Sequence, residues 1–307
     1  MVHNARPELG NAKRGWQMNT LKCGGWFSAA LIAGTFCALA CWERSRPLRR
    51  RAAEPKIKRE VRNLSVAVIG AGALLLLERP AILPLAQFVE GHRWGLLRQI
   101  RLPWWLETAL ALALLDYTLY LWHYLTHRVS FLWRFHLVHH VDLDLDTSTA
   151  LRFHFGELAI SVPWRAAQVI VIGVSPIAYL VWQTFVFLSI MFHHSNVELP
   201  LSLERWLNCL IVTPRMHGIH HSIVEQETNS NWSSGLTIWD WLHGTLRLNV
   251  PQDQVTIGVP AYREPAEVSL LKILKLPFLR QRSDWGSTDG SSPAREVSSV
   301  AVHQLLP

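Results

Sequence analysis

Charge and cysteine are scarce in this 307-residue chain. Charged residues make up 17% of it, against about a quarter in an average soluble domain. Half of the residues are hydrophobic, which excludes a disordered, coiled-coil or collagen-like chain for its bulk. Four cysteines are too few for a disulfide scaffold of this size, and no CxxC pair occurs. They read as free thiols packed as small hydrophobes. Several catalytic signatures are missing as well. The absence of HExxH argues against a zincin protease. The absence of any Glu-x-x-His pair argues against a ferritin-like carboxylate bundle. With no GxGxxG fingerprint, no iron–sulfur cysteine set and no CxxCH haem site, electrons for any redox reaction must come from a separate protein.

What the chain does hold is apolar runs, tryptophan and histidine. Residues 24–42 carry no charge and are long enough to span about 30 Å of hydrocarbon. A signal peptide cleaved near Ala38-Leu39-Ala40 is the competing reading. However, nine basic residues follow between Arg44 and Arg62, against Glu54 and Glu60. They favour an uncleaved anchor and a basic cytoplasmic loop, 43–62, that attracts anionic headgroups and offers a dock for an acidic partner. A second run starts at 64 and reaches 77, or Val89 with a break at Pro80 and Pro84. A third, 104–122, is flanked by tryptophans as an interfacial belt would be. Residues 157–192, split by Pro176, read as a helical hairpin. The expectation is an all-α integral membrane protein with about four transmembrane helices, two of them a hairpin. A His-rich helical cytoplasmic cap (123–156 and 193–262) completes a single domain, 24–280. A polar tail, 1–23, precedes it. A short amphipathic surface helix falls within 265–280, and a disordered tail, 281–307, follows. In this topology both His-rich stretches emerge on the same membrane face.

Twelve of the fifteen histidines lie between 123 and 243. His123 and His127 form HxxxH. His136, His139 and His140 form HxxHH, and His217, His220 and His221 repeat it. Residues three and four apart share a helix face, so each motif aims two or three imidazoles in one direction. Eight imidazoles exceed what one ion takes and suit two. Imidazole binds zinc, copper, iron and nickel alike. Asp116 lies two turns before His123, where a carboxylate could hold a ligand ring. Asp142, Asp144 and Asp146 alternate after the first HxxHH, where they could orient ligands, cap an element or be solvated.

These motifs resemble the fatty acid hydroxylase/sterol desaturase superfamily. LWRFHLVHHVDLDLDTSTALRFHFGE at 132–157 looks like the first cytoplasmic block of its bacterial members. FHHSNVELPL at 192–201, TPRMHGIHHSIVEQETNSNW at 213–232 and IWDWLHGT at 238–245 look like the rest. The resemblance implies a membrane enzyme with two iron ions, zinc being the other metal expected in isolated protein, that uses oxygen to hydroxylate or desaturate a lipid C–H bond. It implies His123, His127, His136, His139, His140, His217, His220 and His221 as ligands. His194 fits a His-x-Asn element with Asn196 and would be a ninth. His154 fits an Arg-Phe-His-Pro-x-Glu element in which Phe155 replaces the proline, and is a further candidate. His193 and His243 sit where the family varies and read as non-ligands, and His3, His92 and His303 as incidental. The implied partners are a bilayer lipid and an external ferredoxin, cytochrome or reductase. The implied place is a bacterial inner membrane, with the site on its cytoplasmic face. The residues alone leave a zinc hydrolase of lipid esters or amides, or a metal transporter or store, as alternatives.

Overall fold

The structure, a computed structural model, describes residues 6–50, 53–286 and 291–295, with side chains from Leu21 onward. His3 and His303 lie outside the described residues. Among those described, regular structure is helical, and only isolated bridges such as Pro47 to Val197 occur besides. Helix α1 spans Arg6–Ser45, so the polar stretch before residue 24 is continuous with the first apolar run. Helix α2 (Lys56–Ala73) passes through a wide π turn, Leu74–Glu78, into α3 (Arg79–His92). The break expected at Pro80 is therefore a widened turn, and Pro84 lies inside α3 without one. Pro80 cannot coexist with regular α geometry in the preceding turn, and a π turn relieves that clash while the helix continues.

Helix α4 (Trp104–Arg128) begins after Pro103, and α5 (Ser130–His140) follows an extended Val129. Helices α6 (Phe155–Ile172) and α7 (Pro176–His194) form the expected hairpin. Its turn is written locally: Gly173 ends α6 in the left-handed region at φ 84°, the Ser175 hydroxyl accepts from Ala178 N–H at 3.2 Å, and Pro176 opens α7. Gly95, at φ 90°, packs against this turn so closely that a Cβ there would lie 2.3 Å from the Gly173 Cα. The α3–α4 and α6–α7 turns are thus locked together at one end of the bundle. Short helices fill the other end: α8 (Leu201–Asn208), α9 (Pro214–His220), α10 (Glu225–Thr228), α11 (Ile238–Leu242) and α12 (Leu270–Lys275).

Among the described residues, four helical stretches are long and apolar enough to cross a membrane: Leu21–Ser45, Lys56–Arg98, Phe155–Ile172 and Pro176–His194. Their outer surfaces expose large apolar side chains, such as Trp26 (80%), Val68 (73%) and Leu76 (77%), which water would penalise and lipid accepts. Helix α4 runs beside them but carries Glu107 and Asp116. It buries Ala111, Leu115, Asp116, Tyr120 and His123 against α5, α6 and α7. Leu115, Val169, Ala178 and Trp182 belong to the core between these helices.

Charge placement departs from the sequence reading. Lys56 to Arg62 belong to α2, and Arg49, Arg59 and Arg62 are buried. Asp142 accepts from Arg59 Nη1 (2.9 Å), Asn63 Nδ2 (2.8 Å), Thr149 Oγ1 (2.9 Å) and Arg62 Nη2 (3.3 Å). Asp146 pairs with Arg59, and Glu54 with Arg62. Arg49 donates to the Gln252 side chain (2.8 Å), so three of the nine basic residues hold the cap together and face neither lipid nor partner, because acceptors such as Asp142, Asp146 and Gln252, distant in sequence, reach them. Asp142 and Asp146 are structural cap residues and neither solvated nor ligand-orienting. The expected disordered tail is also packed where it is described. Asp284 accepts from Trp133 Nε1 (2.8 Å), Trp285 stacks on Trp133, and Arg295 pairs with Glu227 (2.6 Å). An aromatic anchor and an ion pair outweigh the polar composition there.

Candidate metal centre

Four helices converge at the cap end of the bundle. The final turns of α4 bring His123 and His127, α5 brings His136, His139 and His140, and the end of α7 brings His194. Helix α9 and the residue after it bring His217, His220 and His221. All nine sequence-named ligand candidates meet in two groups. His123, His127, His136, His140 and His220 form one; His139, His194, His217 and His221 form the other. Within each group one nitrogen of every ring lies within 4.8 Å of all the others. The division follows helical geometry. The i,i+4 pairs 123/127, 136/140 and 217/221 each share a face and a group. The middle histidine of each HxxHH, His139 or His220, is rotated away and joins the opposite group.

The ring protons are fixed from outside. Nδ1 of His123 donates to the Trp232 carbonyl (2.7 Å), that of His220 to the Ser230 carbonyl (2.8 Å) and that of His194 to the Ile190 carbonyl (2.7 Å). Nδ1 of His136 donates to the Glu157 carboxylate (2.9 Å). A carbonyl or carboxylate only accepts, so each of these rings carries its proton on Nδ1 and turns the Nε2 lone pair inward. In the first group Nε2 of His123, His127, His136 and His220 is buried without a hydrogen-bond partner. In the second, Nε2 of His194 lies 2.9 Å from that of His139 and 3.0 Å from that of His217, which lies 3.1 Å from that of His221. Imidazoles cannot all donate to one another in such a chain. Nitrogens about 2.1 Å from one ion and at right angles around it would stand about 3 Å apart. The donor set therefore fits cations. Protonation state fits as well. Burial first, then neighbouring imidazoles, pushes His139, His140, His217 and His221 well below the ordinary histidine range, and His220 to about 3. These rings are neutral at pH 7, as metal binding requires.

Other candidates fall outside the groups. His154 is not with them: its Nε2 faces the Leu274 carbonyl (3.1 Å) and its Nδ1 accepts from Gly156 N–H (2.9 Å), capping α6. Asp116 does not reach His123. Its carboxylate accepts from Leu236 N–H (2.9 Å) and Trp239 Nε1 (2.7 Å), because the 235–239 loop packs over that face of α4. Asn196 does not touch His194 either. It exchanges hydrogen bonds with the Arg49 backbone (both 2.8 Å) and so pins the basic loop to the end of α7. His193 neighbours His217 at 4.0 Å between ring centres without joining either group. His243 stacks on Tyr120 at 4.9 Å, and the His92 ring bonds only to the Phe88 carbonyl. Among the residues the sequence reading passed over, Glu157 holds a candidate ligand through its side chain, and Trp232, Ser230 and Ile190 do so through their carbonyls. Glu157 stands in the same RFHFGE stretch that drew attention to His154.

A cavity of about 600 Å³ opens beside the histidines. Leu119, Val186 and Phe187 are among its apolar lining, and His136, His139, His193 and His217 line it as well. An apolar chamber inside the bundle thus meets both groups.

Residues 108–245, which include every candidate ligand, match the fatty acid hydroxylase family. Over that segment the chain is similar to the fatty acid hydroxylase family. The ornithine lipid hydroxylase OlsE of Rhizobium tropici is 33% identical over 162 residues, 51% of this chain and 46% of that protein. The alkylglycerol monooxygenase of Homo sapiens is 31% identical over 158 residues, 50% and 34% of the two chains. The cholesterol 25-hydroxylase of Mus musculus is 29% identical over 141 residues, 45% and 46%. The chain thus spans less than half the length of each of these relatives. No solved structure matches it. Within the fatty acid hydroxylase match fall the three histidine motifs, His194, Glu157 and the loop that supplies the Ser230 and Trp232 carbonyls.

Proposed function

We propose that this chain is a membrane-bound, oxygen-dependent di-iron oxidase that hydroxylates or desaturates a C–H bond of a lipid. Its domain is 24–280, and the nine histidines of the two groups are the iron ligands. The active site faces the cytoplasm of a bacterial inner membrane, and a separate ferredoxin, cytochrome or reductase supplies electrons. The observation that carries this reading is the junction of two neutral imidazole clusters with a chamber lined by membrane-span side chains. An alkyl chain needs an apolar chamber, and oxygen consumption separates an oxidase of such a chain from a zinc hydrolase of lipid esters or amides. Transport would place its ligands near the midplane of the spans, and here they gather at the helix ends. The relatives' names add that lipid hydroxylation recurs in the family.

Bound iron would supply oxygen activation, the one chemistry that side chains lack toward an unactivated C–H bond. The protein's own part is positional. Glu157 and the Trp232, Ser230 and Ile190 carbonyls hold protons at Nδ1 of their rings, which keeps four Nε2 lone pairs aimed inward. Leu119, Val186 and Phe187 exclude water from the approach and align an alkyl chain toward His136 and His139.

Protein purified in detergent and reconstituted anaerobically with ferrous iron should hold about two irons per chain and consume oxygen when reduced. The double variant His139→Ala/His220→Ala, which removes one imidazole from each group, should lose the metal and the oxygen consumption together. Failure of the wild type to bind any transition metal would overturn the site. Tight zinc binding with no oxygen chemistry after iron loading would transfer the assignment to a hydrolase.

A further inference from the structure

The chamber has a second polar end that the metal reading does not use. Glu78 sits in the π turn, buried at 2% exposure in the middle of the Lys56–Arg98 span. Its Oε1 accepts from Tyr179 Oη (2.8 Å) and Gln183 Nε2 (2.7 Å), and its Oε2 lies 2.8 Å from Arg165 Nη1. Arg165 and Gln183 line the chamber, and so does Trp182. The Trp182 indole N–H is buried and has no hydrogen-bond partner. Three donor-bearing side chains therefore border one patch of wall, one of them with an unused proton. Glu78 matches the charge of Arg165, so the cluster is neutral as a whole.

Helix rise gives the distance to the histidines. On α6, eight residues separate Arg165 from Glu157, the partner of His136, or about 12 Å. On α7, eleven separate Gln183 from His194, or about 16 Å. The hydrocarbon half-thickness is about 15 Å, so this patch lies near the midplane, where neither headgroups nor bulk water supply a partner. A buried donor left unmatched there is costly, and a π turn in a membrane helix is an uncommon way to deliver a carboxylate.

We propose that Trp182, Gln183 and Arg165 form a seat for an uncharged oxygen, a hydroxyl or carbonyl, at the end of the substrate remote from the oxidised carbon. The word substrate rests on the oxidase reading; the seat itself does not. A neutral cluster rich in donors favours a neutral acceptor over a carboxylate, whose extra charge would be unmatched in hydrocarbon. The seat orients the ligand with its polar end away from the metals. It also sets the reach, since an extended chain covers roughly 1.2 Å per bond and thus about ten to thirteen bonds over this distance. Substrates would be oxidised on an apolar portion that far from their oxygen.

The test uses the metal-free full chain in lipid nanodiscs and a primary alcohol carrying a photoreactive diazirine about eleven bonds from the hydroxyl. After irradiation, adducts are mapped by peptide mass spectrometry. Adducts should concentrate at the histidine end of the chamber, around Phe153, Leu158 and Ile190. Trp182→Phe leaves the Glu78 contacts intact and removes only the free donor. It should lower that labelling about threefold or more, the worth of one net hydrogen bond, and Gln183→Leu should act in the same direction. Three results would each overturn the seat: equal labelling in wild type and Trp182→Phe, equal labelling by the matched alkane diazirine, or stronger labelling by the matched carboxylic acid. Labelling as expected in a protein that takes up iron but consumes no oxygen would uphold the seat and refute the oxidase reading. Oxygen consumption with indifferent labelling would do the reverse.

Discussion

Asp142 offers the sharpest test of how the cap is held. It is fully buried and contacts Arg59, Arg62, Asn63 and Thr149, with Arg152 at 3.7 Å. Burial alone would raise its carboxyl. Arg59, Arg152 and Arg62 outweigh burial and hold it at about 2, below the ordinary 3.8. That difference is worth roughly 2–3 kcal/mol at neutral pH. Asp142→Asn keeps the shape and removes the charge, leaving three buried guanidinium groups with Glu54 and Asp146. Stranding buried cations costs about 3–5 kcal/mol. The two figures together bracket a loss of about 2–5 kcal/mol, or a fall in Tm of about 3–10 °C for a chain of this length. Thermal unfolding in detergent at pH 7, followed by intrinsic fluorescence of the metal-free protein, measures it. Asp144→Asn is the control, because that carboxylate accepts only from Leu145 N–H and is less buried; its Tm should move by less than about 2 °C. A fall of under 2 °C in Asp142→Asn, or equal falls in both variants, would refute the assignment of Asp142 as the hub.

Two further outcomes follow from the centre itself. Glu157→Gln should retain the fold and weaken metal binding about 10–100-fold, because an amide is a poorer acceptor for the His136 Nδ1 proton; competition with a chelator reads this, and unchanged affinity would dissociate Glu157 from the site. The metal-free protein should lose stability as pH falls from about 6.5 toward 3. The unfolded chain takes up protons there that the buried rings, His220 at about 3 among them, refuse. Above about 6.5 both states are neutral and the effect vanishes. A flat acid limb in a pH series of metal-free thermal melts would contradict the burial of these rings.

The histidines were legible in the sequence because their information is local. Spacing of three and four residues survives into the structure as shared helix faces, and even His194, isolated in sequence, came from a recognisable element. The hairpin was equally plain, since Gly173, Ser175 and Pro176 write its turn. What was hidden depends on distance along the chain. Glu157 reaches His136 across 21 residues. The carbonyls of Trp232, Ser230 and Ile190 have no side-chain signature at all. Asp116 stands on the right face of α4, but a loop more than a hundred residues away takes its carboxylate. Arg59 and Arg62 read as a solvated basic run because their partner at Asp142 lies some eighty residues on. In the described part of the tail, Trp285 and Arg295 make contacts that composition did not announce.

Each HxxHH motif contributes to both imidazole groups, and this has a consequence for how the centre comes into being. Helix α4 serves only the first group and α7 only the second, but neither group is complete without α5 and α9, each of which also serves the other, so there is no intermediate in which one half is finished and the other is absent. A slip of one residue in either helix would hand its imidazoles to the wrong neighbours on both sides at once. The two halves therefore share a single tolerance for error. A lineage altering this centre could not refashion one half and keep the other as a reserve.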